Sequence, residues 1–322
     1  MYHGVGITGR EIANIKKRIR AADYLTVAQL FLISNFLLKT PLKPEHIKPR
    51  LLGHWGTCHG INVVYAGLKH FYCDDKNFQF VLGPGHGFPA LQANLFLDEE
   101  LLKVDKNATL DENGIAYICK NFSFPGGFPS HSSPLTPTVI TEGGELGYAL
   151  GAAFGAGLGH PERTIAVLLG DGEFETGACL ASMNLTKLLG GEGNGRVIPI
   201  LHVNGYKISG PTVFARKSER EQNEMIRGFG FTPIVTTEDT EQFIHAVAEA
   251  KSLVNPFIIF KSEKGATGPV EVDGQKVAGN FLAHQIPLPL VRTDENQLKI
   301  LEDWLKSYHF EELFSEQKGF TI

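Results

Sequence analysis

Three short apolar runs constrain the fold of this chain most, because segments with helical periodicity separate them. The runs cover residues 164–169, 197–203 and 257–260, and a similar run over 78–82 ends in Gly83-Pro84-Gly85. Parallel strands that are buried on both faces have such continuous apolar sequences, and the helices between them cover the sheet. We therefore predict an α/β fold with an open, mostly parallel sheet and helices on both faces.

The same patterns suggest how the chain is organised. We predict an N-terminal helical arm over 1–50, an α/β domain over 51–262 and a C-terminal extension over 263–322. A loop rich in Pro, Gly, Ser and Thr is expected over 121–141. Helices are predicted over 10–40, 60–72, 90–104, 142–158, 173–189 and 239–253.

Composition excludes several classes of function. The formal net charge of −5 leaves no basic surface for nucleic acid. The longest apolar stretch, 24–38, is too short and too polar to cross a bilayer, which predicts a buried helix and no membrane contact. The four cysteines form no CxxC pair. Because the N-terminus shows no secretory leader, we expect a reducing cytoplasm.

Two of the apolar runs end in residues that can bind a metal ion. Asp171 follows the first, and Asn204 follows the second after a gap that fits one crossover helix. A right-handed crossover makes these strands parallel, and ligands of open sheets bind beyond the carboxyl ends. Carboxylate and amide oxygens suit Mg²⁺ or Ca²⁺, and such a cation can hold a diphosphate that a carboxylate alone would repel. The amides of a helix opened by Gly172 would also favour an anion.

A plain turn remains an alternative for each of these two segments taken singly. Gly-Asp-Gly and Asn-Gly are both common after strands. Their pairing, order and spacing favour a metal-diphosphate site. The glycines of 151–155 lie in a helical pattern instead, and helix packing explains them.

The arrangement of Gly170-Asp171-Gly172 and Asn204 is similar to the metal-diphosphate motif of thiamine-diphosphate enzymes. Further segments narrow the resemblance to phosphoketolases, and it extends from about residue 20 to 317. These segments are 42–57, 83–87, 122–127, 129–131, 142–148, 170–177, 204–208, 264–265 and 284–285.

The resemblance implies a set of site residues. Asp171, the Asn204 side chain and the Tyr206 carbonyl would hold Mg²⁺ or Ca²⁺. The remaining cofactor-binding positions would be Gly144, Gly170, Gly172, Glu173 and Lys264. The active-site histidines that contact the ketose hydroxyls would be His54, His86, His131 and His284.

The activity that the resemblance implies is cleavage of a ketose phosphate. Xylulose 5-phosphate or fructose 6-phosphate would react with inorganic phosphate to give acetyl phosphate and an aldose phosphate. Histidine suits this work because it can donate or accept a proton near neutral pH.

The chain departs from the family pattern at several positions. Cys58 and His59 stand where a small residue and a proline are usual, Ala266 replaces a tryptophan and Thr141 replaces a histidine. We expect these changes to affect substrate fit, and Cys58 to make the site oxidisable.

No segment resembles the family's pyrimidine-binding domain, which supplies the glutamate that activates the cofactor. We therefore predict a second subunit that carries this domain together with the family's third domain. The chain is expected to form a homo- or hetero-oligomer.

Three other functions remain open from the sequence. A subunit of a split transketolase would use the same cofactor with an aldehyde acceptor, and an assay for acetyl phosphate would separate the two. A non-catalytic cofactor-binding or regulatory fragment would be distinguished by its cofactor binding. A His/Asp metallohydrolase is disfavoured because the sequence contains no HxH or HExxH spacing.

Overall fold

The computed structural model describes residues 7–189 and 192–322, and these form two compact units. Unit 1 comprises residues 7–12 with Gly67–Gly85 and the described part of Ser132–Glu263. Unit 2 comprises Ala13–Ala66, His86–His131 and Lys264–Ile322. Each unit is built from separate segments of the chain, whereas each domain predicted from the boundaries at 50 and 262 is one continuous segment. Those boundaries stay a prediction.

The helices and strands are as follows. The α-helices in the described residues are α1 (Gly9–Phe31), α2 (Cys58–Tyr72), α3 (Phe88–Leu97), α4 (Glu112–Asn121), α5 (Ala149–Gly157), α6 (Asp171–Phe174), α7 (Gly177–Ser182), α8 (Leu185–Leu189), α9 (Glu219–Gly228), α10 (Thr240–Ser252) and α11 (Glu295–Ser307). The strands of the main sheet are β1 (Phe78–Leu82), β2 (Thr164–Gly170), β3 (Arg196–Val203), β4 (Thr232–Thr237) and β5 (Pro256–Lys261). Two short hairpins follow, formed by β6 (Glu271–Val272) with β7 (Gln275–Lys276) and by β8 (Phe314–Ser315) with β9 (Gly319–Phe320).

Unit 1 contains a five-stranded parallel sheet in the order β1-β2-β3-β5-β4. Strand β2 lies between β1 and β3, and Gly170 at its carboxyl end pairs with His202 near the end of β3. The predicted parallel sheet is confirmed, as is the adjacency of the strands that precede Asp171 and Asn204. This register places both residues at the same edge of the sheet.

Helices cover both faces of this sheet, as predicted. On one face Ile165, Val167 and Leu169 of β2 pack in a cluster with Leu150 and Phe154 of α5. On the other face the ring of Phe260 in β5 contacts that of Phe243 in α10, with centroids 5.2 Å apart. Alternate residues of one strand point to opposite faces, so a strand buried on both faces needs an unbroken apolar run.

Several predicted helices begin or end elsewhere. The helix predicted over 10–40 ends at Phe31, and the one predicted over 90–104 ends at Leu97. Asn35 and Glu99, which follow these helices, adopt the left-handed conformation with φ of 55° and 58°. Left-handed backbone interrupts a right-handed helix.

The helices predicted over 142–158 and 173–189 were also wrong in extent. The first begins only at Ala149, because Gly147 has a φ of 105°. The second is divided into α6, α7 and α8, and the Thr176 side chain caps α7 by accepting from the Cys179 amide. A helix does begin at Asp171, as α6, but it has only four residues, too few to form an anion site at its N-terminus by itself.

Strand β4 and helices α4, α9 and α11 were not predicted. Strand β4 lies at the sheet edge with a mixed burial pattern, so its sequence lacks the continuous apolar signal of the inner strands. The three helices carry mostly polar residues on one side, and side-chain caps from Asp111, Ser218 and Asp294 begin them. Capping residues of this kind can be recognised in a sequence, whereas hydrophobic periodicity alone did not predict these helices.

Unit 2 is mainly helical and has an aromatic core. The ring of Tyr24 in α1 stacks on Phe310 with centroids 4.0 Å apart. Trp304 of α11 contacts the rings of both Phe31 and Trp55 at 6.0 and 4.9 Å. These contacts bring the N-terminal helix and the C-terminal segment of the unit together.

Among residues 7–189 and 192–322, no helix is long and apolar enough to cross a membrane.

Candidate functional site

The carboxylate of Asp171 lies against the turn that follows β3. It is buried, and it accepts hydrogen bonds from the Gly205 amide at 2.7 Å and from the Thr212 hydroxyl at 3.2 Å. The Gly172 amide also donates to it at 3.0 Å. Asp171 and the Asn204–Gly205 turn are therefore brought together at the ends of neighbouring parallel strands.

Asn204 and Tyr206 lie in a compact loop that follows β3. The Asn204 Oδ1 accepts from the Tyr206 amide at 3.2 Å, and Gly205 between them has a φ of 89° that favours glycine. The Gly205 carbonyl accepts from Thr212 at 3.0 Å and closes the loop. A carboxylate, an amide oxygen and a peptide carbonyl are thus available within one short region, and hard oxygens of this kind fit Mg²⁺ or Ca²⁺.

A different kind of metal site is not found in the described part of the chain. No group of three or more His, Cys, Asp or Glu side chains there is arranged to hold an ion. The predicted site uses one carboxylate with neutral oxygens, so a search for three or more such side chains does not test it. The ligand roles of Asp171, Asn204 and Tyr206 stay a prediction.

Glycines bring three loop segments of unit 1, two of them from one loop, into backbone contact near the end of β1. A Cβ atom on Gly85 would lie 2.2 Å from the Gly143 Cα, and one on Gly143 would lie 2.1 Å from the Ser132 Oγ. The Ser132 amide donates to the Gly85 carbonyl at 3.0 Å, and the Gly143 amide donates to Ser132 at 2.8 Å. Only glycine permits this approach.

This loop region can accommodate the predicted diphosphate. A Cβ on Gly144 would meet only a Glu142 oxygen, at 3.8 Å, so space is open there. The buried Ser132 Oγ has no hydrogen-bond partner among the described residues. A buried hydroxyl without a partner and the oxygen atoms around Asp171 fit a metal-bound diphosphate. The predicted contacts of Gly144, Gly170 and Gly172 with it remain predictions.

Glu173 lies inside the protein, and its hydrogen bonds connect the loop at Gly147 to the end of β2. Its carboxylate accepts from the amides of Gly147 at 3.1 Å and Gly170 at 3.2 Å. Burial raises its pKa to about 7, although the amides act in the opposite direction. A Cβ on Gly83 would lie 2.1 Å from its Oε2. These contacts support the loop geometry, and the predicted contact of Glu173 with the cofactor remains untested.

The four predicted histidines form one cluster in unit 2. The ring centroid of His54 lies 5.1 Å from that of His86, 5.4 Å from that of His131 and 5.1 Å from that of His284. The rings of His86 and His284 are 4.9 Å apart. The four residues come from segments far apart in sequence, so only the folded unit brings them together.

The imidazoles of His54, His86 and His284 in this cluster are neutral at pH 7. Burial lowers the pKa of His54 to about 4, with smaller effects of His131 and Lys264. Burial and then Lys264 lower the pKa of His284 to about 3, and burial holds that of His86 well below its usual value. A neutral imidazole offers one donor and one acceptor. The buried His54 Nδ1 has no hydrogen-bond partner among the described residues and can face a ligand.

Lys264 is the cation of this cluster. Its side chain is buried, and its Nζ lies 3.2 Å from the Nδ1 of His284. The family resemblance implies that Lys264 is a cofactor-binding residue, and this role stays a prediction. The pairing with His284 was not predicted, because the two residues are twenty positions apart in the chain and the β6–β7 hairpin lies between them.

A groove of about 750 Å³ lies beside His54 in unit 2. Leu51 and Leu52 line one part of it, and Gln285 and Arg292 line another. The sequence did not predict this groove. Only the prolines near its two lining segments indicated irregular backbone there. The groove gives a ligand a route to His54.

A family model described as the XFP N-terminal domain matches residues 6–255 and 246–321 of the chain. The chain belongs to the XFP N-terminal domain family. It is 45% identical over 319 residues to a "Probable phosphoketolase" of Bradyrhizobium diazoefficiens, covering 92% of this chain and 40% of that protein. A "Probable phosphoketolase" of Streptomyces coelicolor is 45% identical over 96% of this chain and 42% of its own length. The chain thus spans about two fifths of the length of these curated relatives.

Solved structures of transketolases share the fold. The transketolase of Campylobacter jejuni matches with a TM-score of 0.64 at 18% identity, over 93% of this chain and 43% of that one. The transketolase of Leishmania mexicana matches with a TM-score of 0.60 at 19% identity, over 94% and 45%. At these identities the likeness supports the α/β fold alone.

Two departures from the phosphoketolase pattern have a structural role in unit 2. Cys58 is buried, its thiol donates to the His54 carbonyl at 2.9 Å, and burial raises its pKa far above the usual value. The expectation that Cys58 makes the site oxidisable was wrong, because oxidation follows exposure and thiolate character. The His59 Nδ1 lies 2.8 Å from a carboxylate oxygen of Asp23, which is itself buried.

The third departure, Ala266, is buried close to the end of the segment that carries Lys264. Nearby, the indole of Trp55 donates to the Gly265 carbonyl at 3.3 Å. The effect of Ala266 on substrate fit stays a prediction.

Proposed function

We propose that the chain is the thiamine-diphosphate-binding part of a phosphoketolase. The reaction would cleave a ketose phosphate, xylulose 5-phosphate or fructose 6-phosphate, with inorganic phosphate to give acetyl phosphate and an aldose phosphate. One observation carries the proposal: the Asp171 carboxylate accepts from the Gly205 amide at the ends of adjacent parallel strands. Membership of the XFP N-terminal domain family supports it independently.

In this proposal unit 1 holds the metal and the diphosphate. Asp171, the Asn204 side chain and the Tyr206 carbonyl bind Mg²⁺ or Ca²⁺, and Gly144, Gly170 and Gly172 line the diphosphate. Glu173 keeps the Gly147 and Gly170 amides in place. Bound thiamine diphosphate supplies the electron sink for carbon–carbon cleavage, and the protein binds and orients.

The histidines of unit 2 are proposed to act on the ketose phosphate. Neutral imidazoles can donate to one substrate oxygen and accept from a hydroxyl, and they can move a proton without first losing one. Burial of the cluster keeps His54, His86 and His284 in this neutral state. Burial also strengthens each hydrogen bond to the substrate.

Activity is proposed to need the part of the relatives that lies outside the matched region. The family resemblance implies a pyrimidine-binding domain there, which supplies the activating glutamate. This domain is either joined to the chain or carried by a second subunit, as in the hetero-oligomer predicted above. Glu173 does not replace that glutamate in the proposal, since its carboxylate is engaged with backbone amides.

Calorimetry tests the cofactor half of the proposal. Thiamine diphosphate is titrated into the 322-residue chain with Mg²⁺, with Ca²⁺ and with a chelator. We expect heat of binding only when a divalent cation is present. Equal binding in the chelator would refute the proposed metal bridge.

An assay for acetyl phosphate tests the reaction. The chain is combined with the pyrimidine-binding part of a relative, and xylulose 5-phosphate is supplied with and without inorganic phosphate. A phosphoketolase forms acetyl phosphate only with phosphate, whereas a transketolase transfers to an added aldose phosphate. Cofactor binding with neither product would indicate the non-catalytic alternative.

A further inference from the structure

The contact between Lys264 and His284 fixes the direction of one hydrogen bond in the histidine cluster. The Lys264 Nζ lies 3.2 Å from the His284 Nδ1. An ammonium group has three donors and no acceptor, so the Nδ1 must accept and its proton must be on Nε2. We propose that Lys264 is a positioning residue that holds His284 as the neutral Nε2–H tautomer, so that His284 donates to an oxygen atom of the substrate.

The backbone around Lys264 holds this geometry. The Lys264 carbonyl accepts from the Gly279 amide at 2.8 Å, and the Gly265 amide donates to the Gly56 carbonyl at 2.8 Å. A Cβ on Gly56 would lie 3.0 Å from the Lys264 Cε and 2.7 Å from the Ala283 carbonyl. The lysine stem therefore packs where a glycine leaves room, and this limits the rotation of the long side chain.

His284 is held from its own side as well. It follows the short 3-10 helix Phe281–Ala283, and its amide donates to the Phe281 carbonyl at 2.9 Å. Its side chain is buried with an exposed fraction of 8% for the residue. Lysine and imidazole are thus both ordered before a ligand binds, so little entropy is lost when the ligand does.

The charged and titratable groups that act on His284 are Lys264 and His54, and His86 lies beside it. Both Lys264 and His54 lower the pKa of His284, as burial does. A positive charge next to Nδ1 opposes a second positive charge on the same ring. Lys264 thereby sets the tautomer and prevents protonation by one contact.

The functional consequence rests on the proposed function of the cluster. A donor at Nε2 suits a carbonyl, hydroxyl or phosphoryl oxygen, which are the acceptor groups of a ketose phosphate. Such a donor in a buried site stabilises developing negative charge on oxygen. His284 would then serve as a hydrogen-bond donor rather than as a base that removes a proton through Nε2.

Nitrogen NMR of histidine-labelled protein tests the inference without any activity measurement. His284→Gln assigns the resonance, and pH is varied from 4 to 8. We expect Nδ1 of His284 to behave as a hydrogen-bonded acceptor and the ring to stay neutral. In Lys264→Met the Nδ1 signal should lose this character, and the His284 pKa should rise by about 1 or more.

Lys264→Arg should restore most of the wild-type signal, because it keeps a charged donor. Lys48→Met provides the matched control, since Lys48 is a second buried lysine of unit 2 that donates to the Gln29 and Phe122 carbonyls. It should leave the His284 signals unchanged.

A proton on Nδ1 in the wild type would overturn the proposal, even if Lys264→Met failed to fold. Unchanged signals in a folded Lys264→Met would overturn it too. Failure of the phosphoketolase assay would leave these spectra unaffected, so the two hypotheses are tested separately.

Discussion

The sheet edge at Asp171 and the histidine cluster around His54 offer different chemical groups to a ligand. The sheet edge offers a buried carboxylate and neutral oxygens, which attract a cation. The cluster offers neutral imidazoles beside one lysine, which suit oxygen atoms and anions. Each region therefore presents groups that attract the charge of its proposed ligand.

Burial acts on both regions in the same sense, towards the neutral form. It raises the pKa of Glu173 beside the sheet edge and lowers the pKa values of His54, His86 and His284. Desolvation penalises whichever form is charged, so carboxyl and imidazole groups shift in opposite directions. Burial thus shifts these supporting groups towards their neutral forms.

The largest expected effect separates the two regions by cofactor binding. Asp171→Asn keeps the size of the side chain but removes the charge that faces the metal. We expect it to weaken Mg²⁺-dependent binding of thiamine diphosphate by more than about 100-fold, beyond the loss typical of outer-shell changes. Calorimetry measures this.

The matched variant in the other region is His54→Ala, which should change that binding by less than about threefold, since it removes no proposed metal or diphosphate contact. If His54→Ala were as damaging as Asp171→Asn, the division of roles between the regions would be wrong.

The next effect concerns the carboxyl group that supports the sheet edge. Glu173→Ala removes the acceptor of two amides, the buried one of Gly147 and the partly buried one of Gly170. We expect the free energy of unfolding to fall by about 2–4 kcal/mol, because each buried donor left without a partner is costly. Urea denaturation measures the change.

Glu173→Gln is the control for this prediction, because its amide oxygen can still accept one of the two bonds. It should lose less, about 1–2 kcal/mol. Equal stability of the wild type and Glu173→Ala would show that these hydrogen bonds do not hold the loops.

A smaller effect appears in the pH dependence of stability. The folded-state pKa values of His54 and His284 lie near 4 and 3, below the ordinary value of 6.5. Between pH 6.5 and 4 the unfolded chain therefore binds more protons at these positions, so their contribution to stability is lost as pH falls. Denaturation at several pH values should show a shallower acid-side slope for His54→Asn than for the wild type. An identical slope would mean that His54 is not neutral in the folded protein.

The smallest effect is expected at Cys58, the thiol next to the cluster. Cys58, Cys119 and Cys179 are buried, whereas Cys73 of unit 1 is exposed. Iodoacetamide should therefore modify Cys73 in the native protein and leave Cys58 unmodified, as mass spectrometry of peptides would show. Rapid modification of Cys58 would restore the expectation of an oxidisable site.

The sequence by itself determined the sheet and the edge at Asp171. Continuous apolar runs specify strands that are buried on both faces, and the crossover rule then places Asp171 and Asn204 at adjacent strand ends. The family resemblance added the four histidines. Each of these signals is local, or depends on a rule that needs no knowledge of side-chain packing.

Tertiary structure alone decided the rest. Glu173 reads as a site residue in the sequence, and only the fold shows that its carboxylate accepts from Gly147 and Gly170 inside the protein. The approach of Lys264 to His284 likewise depends on the glycine at position 56 and on turns that no periodic pattern specifies. The physical reason is that burial and long-range contacts set the charge state and orientation of these side chains, and neither is encoded in neighbouring residues.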